Sequence, residues 1–175
     1  MRGASTLSMQ LAKNLYLGQE KTLSRKLQEA VFTMLLEQEL SKVELLELYL
    51  NVVEFGPGIY GIGPAAQYYF AKHPRDLTLG QALYLASILP NPDASHFKED
   101  GRLSPGWTSY LKRLMQIAHD RKRINDDELE AGLGEQVAFR VPGGGGAAPP
   151  PDRDLDDDAP PELPALPSGA LGRRD

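Results

Sequence analysis

The chain contains no cysteine. That absence excludes a disulfide framework and thiolate metal sites, and it leaves the compartment open, because extracytoplasmic bacterial proteins often dispense with disulfides. Histidine is scarce too. His73, His96 and His119 share no ligand-like spacing and read as surface or turn residues, so no metal centre built from protein ligands is expected. No apolar run approaches the ~20 residues that cross a bilayer, and no signal peptide pattern is present. Any membrane anchor is therefore expected outside this sequence. Basic charge is also missing: the net charge is −5, and neither half is cationic enough to suggest nucleic acid as a partner.

The acidity is unevenly spread. From Val141 onward there are six Asp, one Glu and three Arg, which leaves residues 1–140 close to neutral. That terminal stretch opens on a glycine run and continues with prolines and an acidic cluster, with almost no aromatic or β-branched residues. It cannot bury enough apolar surface to offset its chain entropy, so residues 141–175 are expected to be a disordered tail. The domain boundary is placed near Arg140.

Upstream of it the hydrophobic period is helical and no alternating strand pattern of useful length occurs, so the expected class is all-α. Thr22 or Ser24 can cap a helix with Leu23, Leu27, Ala30, Val31 and Met34 as its apolar stripe. Ser41 and Glu44 form a capping box opening "KVELLELYLNVV". There Glu44, Glu47, Asn51 and Glu54 share one face, the pattern of a helix buried on most sides. "FGPGIYGIGPAA" has too many glycines and prolines for a regular element and reads as an ordered loop. Further helices are expected at "AAQYYFAK", at "LTLGQALYLASILPNP" with Thr78 as cap and Pro90 as stop, over residues 106–123, and at "NDDELEAGL".

Two polar constellations stand out against these apolar stripes. In "RGASTLSMQLAKNLYL", Thr6, Gln10, Lys13 and Asn14 fall within about one quadrant of a helix, beside an apolar face of Leu7, Leu11 and Leu15. In "SRKLQEA", Arg25, Lys26 and Glu29 place two cations and a carboxylate together. Alone, either could be an ordinary solvated face or a surface ion-pair ladder.

Read in order, "GASTLSMQLAKNLYL", "RKLQE", "ELYLNVVEFGPGIYGIGPAAQYYFAK" and "LTLGQALYLASILPNP" closely resemble the peptidoglycan glycosyltransferases. That family comprises the monofunctional transglycosylases and the glycosyltransferase domain of bifunctional penicillin-binding proteins. The resemblance covers residues 2–92, continues to about 135, and implies a lysozyme-like helical domain over residues 1–140. It also implies a reaction at the outer, periplasmic face of the bacterial cytoplasmic membrane. The 4-hydroxyl of an acceptor GlcNAc on lipid II attacks the anomeric carbon of MurNAc at the reducing end of the growing strand. That centre inverts, and undecaprenyl pyrophosphate leaves. A general base and fixed positive charge for the departing diphosphate are required.

By the same resemblance, Ser5, Thr6, Gln10, Lys13 and Asn14 line the donor cleft, with Lys13 on a phosphate. Arg25 and Lys26 add cations, and Glu29 is the family's second acidic residue, which orients those cations or contacts a divalent ion. Asn51, Gly56 and the other glycines of "EFGPGIYGIG" shape the cleft floor and acceptor side. Lys72 is a weaker candidate. No cofactor is required, although Mg or Mn near the pyrophosphate is compatible with the pattern. The implied partners are lipid II, the nascent strand, the membrane surface and other cell-wall synthesis proteins.

Two departures qualify the resemblance. Met9 stands where many relatives carry a first glutamine. The opening motif, an acidic pair followed by an aromatic and His-x-Gly, holds the family's general-base glutamate and is expected upstream of "GAST". As it stands, the chain is expected to have little or no activity, since losing a general base costs ~10²–10⁴ in rate. A fragment, a late-called start and a remnant that binds lipid-linked glycan without turnover would all produce this sequence. Two other functions fit less well. A lysozyme-type lytic enzyme relies on a carboxylic acid of raised pKa, whereas the cations here suit a departing diphosphate. Ser95-to-Lys98 and Ser109-to-Lys112 match the Ser-x-x-Lys of penicillin-binding transpeptidases but lack a Lys-Thr-Gly partner.

Overall fold

The computed structural model describes residues 7–16, 23–92 and 96–139, except for the side chains of Lys13, Tyr16, Leu23 and Arg25. Ser5, Thr6, Thr22 and the expected tail lie outside the described residues. Among the described residues the architecture is all-α with one small hairpin. In order, α1 spans Leu7–Tyr16, α2 Leu23–Glu39 and α3 Lys42–Val52, followed by β1 (Glu54–Gly56) and β2 (Ile59–Tyr60). Then come α4 (Ile62–Phe70), a 3₁₀ turn (Pro74–Asp76), α5 (Leu79–Ile88), α6 (Pro105–Asp120) and α7 (Asp126–Gly134).

The helix starts follow local chemistry. Ser41 Oγ accepts from the Glu44 amide at 3.3 Å, and the Glu44 carboxylate accepts from the Ser41 amide at 2.8 Å. These bonds hold the Glu44 carboxyl below its usual range. Thr78 with Gln81 and Asn125 with Glu128 repeat the reciprocal cap at α5 and α7, satisfying amides that the first helical turn leaves unpaired. α5 ends at Ile88 just before Pro90, and Ser104 caps α6.

The core is aromatic. Tyr69, Phe70, Tyr84, Phe97 and Phe139 meet largely at edge or tilted angles, the arrangement ring quadrupoles favour. His96 belongs to this interior and not to a turn or surface. It is 2% exposed, and its ring stacks on Trp107 with centroids 3.5 Å apart. Trp107 Nε1 donates to Ser87 Oγ at 3.1 Å, and Ser87 Oγ donates to the Tyr84 carbonyl at 2.7 Å. The last described segment closes over this cluster. Glu135 accepts from Thr78 Oγ1 through one carboxylate oxygen and from the Gly80 amide at 3.1 Å through the other. Phe139 supplies a wall of the core.

Three elements depart from the sequence reading. The α2 stripe exists but faces outward: Leu27, Val31 and Met34 are exposed, while Leu36 and Leu40 pack against the core. α3 is buried only along Leu45 and Tyr49, with Val43 and Leu46 exposed, and Glu54 lies past its end in β1. The glycine-rich loop contains the hairpin, and α4 begins inside it, with Gly63 and Pro64 in its first turn. Proline is tolerated there because a first-turn amide has no helical acceptor.

The hairpin is anchored to the core by Tyr69, whose hydroxyl donates to the Phe55 carbonyl at 2.8 Å. Burial raises the Tyr69 phenol well above its usual value, with the neighbouring Tyr68 adding to the shift. A folded pKa above the unfolded ~10 means the tyrosine's contribution is complete below that pH and is lost as pH rises further. Tyr69→Phe is expected to cost ~1–3 kcal/mol at neutral pH by leaving a buried carbonyl unpaired. Its thermal midpoint, followed by circular dichroism, should fall less steeply between pH 10 and 12 than that of the parent.

Candidate active site

α1 packs against both α2 and α3. It turns Ser8, Leu11 and Ala12 inward and leaves Gln10 and Asn14 exposed on the opposite side. Lys13 shares that side by helical position, though its side chain lies outside the described set. Met9 sits half-buried at the margin.

Gln10 is held by a contact that no sequence spacing announces. Tyr49, 4% exposed on α3, donates its hydroxyl to Gln10 Oε1 at 2.8 Å. With its oxygen committed to Tyr49, the Gln10 amide presents its Nε2–H donors outward. The oriented donors suit an acceptor-rich ligand such as a phosphate or a sugar hydroxyl. Burial also raises the Tyr49 phenol above its usual value, so it remains a donor throughout the physiological range. Tyr49→Phe is expected to cost about 0.5–1.5 kcal/mol by removing this hydrogen bond. Thermal unfolding against the parent protein measures it.

On α2, Glu29 is half-buried on the side carrying Phe32 and Leu36, and Arg25 shares that side by its spacing of four residues. Lys26 is exposed and sits at about 60° from Glu29. It therefore occupies the edge between the Glu29 face and the outward stripe. Because α1 and α2 are packed neighbours, Lys13 and Arg25 belong to adjoining helices. Where their side chains point lies outside the described residues.

The last turn of α3 joins this region to the hairpin. Asn51 is exposed, and its Nδ2 donates to the Glu47 carbonyl of its own helix at 2.9 Å. Its carbonyl oxygen lies against Gly61, where an added Cβ would come within 2.7 Å. Gly56 is buried, and a Cβ there would fall 2.8 Å from the Tyr69 hydroxyl. Packing thus accounts for both glycines. On the hairpin, Glu54 accepts from the Gly58 amide at 3.0 Å. Its carboxylate raises the phenol of Tyr60 across the strands. Lys72 is tied elsewhere: its Nζ donates to Gln81 Oε1 at 3.0 Å, bracing the start of α5.

The sequence model of a family described as Transglycosylase matches residues 1–116, a span that includes α1, α2 and the hairpin. The chain is similar to a biosynthetic peptidoglycan transglycosylase of Aeromonas hydrophila, 53% identical over 115 residues, covering 66% of this chain and 49% of that one. Its counterpart from Nitrosomonas europaea is 53% identical over 90 residues, covering 51% and 37%. Penicillin-binding protein 4 of Bacillus subtilis is 37% identical over 144 residues, covering 80% and 22%. The crystal structure of penicillin-binding protein 1A from Haemophilus influenzae aligns with a TM-score of 0.43 at 20% identity, covering 77% and 16%. The chain spans less than half the length of each of these relatives.

Proposed function

The chain belongs to the transglycosylase family, and on that premise we propose that it serves the polymerisation of lipid II into glycan strands, with release of undecaprenyl pyrophosphate. The observation that carries this reading is the outward polar side of α1, braced by Tyr49, within the stretch that matches the family. Gln10 offers N–H donors, and Lys13 and Arg25 offer cations from adjoining helices to the diphosphate oxygens. As the bond from the anomeric carbon to the diphosphate breaks, negative charge grows on those oxygens. Fixed donors that meet it lower the barrier. Glu29 orients Arg25 from the same side of α2. The attacking hydroxyl loses its proton to the glutamate of the family's opening motif, which the resemblance puts upstream of Gly3. The reaction is assigned to the outer face of the cytoplasmic membrane, where lipid II and the strand end meet.

Among the described residues no group of three His, Asp or Glu gathers that could hold a metal ion. Glu29 alone supplies too few oxygen ligands to hold a resident Mg or Mn. A divalent ion would arrive on the diphosphate itself.

Polymerisation of labelled lipid II by the chain and by a version extended upstream tests the proposal, with moenomycin as inhibitor control. Moenomycin-sensitive strands from the extended form support it. Binding without strands from either form would favour a lipid-glycan-binding remnant, and failure to bind would reject the assignment.

A further inference from the structure

We draw no further inference here: the strongest candidate, the pocket between α6, α7 and the last described segment, lined by Leu111 and Met115 together with Arg102 and Lys112, carries none, because nothing in the structure shows what covers it.

Discussion

Lys13→Ala and Arg25→Ala are each expected to weaken binding of a lipid II analogue by about tenfold to a hundredfold. A hydrogen bond to a charged group contributes ~1.5–3 kcal/mol, and each ~1.4 kcal/mol is a factor of ten in affinity. Both residues sit on helices that pack against one another, as the proposed shared contact with the diphosphate requires. The wild-type affinity should fall with added salt and the variants' more gently, because screening acts on the cations they have lost. Lys13→Arg should keep much of the binding, since charge is preserved while geometry changes. Lys112→Ala, exposed on α6, serves as the control and should bind as the parent does. Unchanged affinity in both alanine variants would remove the diphosphate from these two helices.

Gly61→Ala is the substitution expected to harm the fold most. Gly61 has φ +85 and ψ 152, a region that is almost exclusively glycine's. Its amide donates to the Val53 carbonyl at 2.9 Å, so the chain cannot turn aside without losing that bond. An added Cβ would also sit 2.7 Å from the Asn51 carbonyl oxygen, a backbone atom that has little room to retreat. Backbone strain of ~1–3 kcal/mol combines with this overlap, for an expected loss of about 3 kcal/mol or more. In a domain of this size that lowers the thermal midpoint by about 10 °C. Two neighbours calibrate the result. Gly58 has φ +72 but open space around it, so Gly58→Ala should cost only the strain. Gly63 has neither constraint, and alanine there should be neutral or mildly stabilising, as it is in most helices. If Gly61→Ala melts with Gly63→Ala, the tight approach of the hairpin to α3 is not what holds this corner.

The sequence was most informative where the chemistry is local. Ser41 with Glu44 and Thr78 could be recognised because a cap and its amide lie within three residues of each other. The hairpin could not, since strands of three and two residues are too short to display an alternation. Periodicity located the α2 stripe but could not say which way it faces. A period reports that apolar residues share a side, and the rest of the fold decides whether that side is covered. His96 looked like a turn residue because its partner, Trp107, lies on another element. In the candidate site, the polar side of α1 was readable from its spacing. The Tyr49 contact that orients Gln10 was not, because its two residues are 39 apart in sequence.

The carboxylate of Glu135 and the ring of Phe139 also carry a lesson about order of synthesis. A ribosome makes α5 and the rings around Tyr84 long before either residue exists, so the nascent domain must wait with one helix end bare and one side of its interior open. The final described residues dock on elements made before them. Messages cut short before codon 135 would therefore yield a protein that keeps α1, α2 and the hairpin yet leaves its interior open, a ready substrate for quality-control proteases.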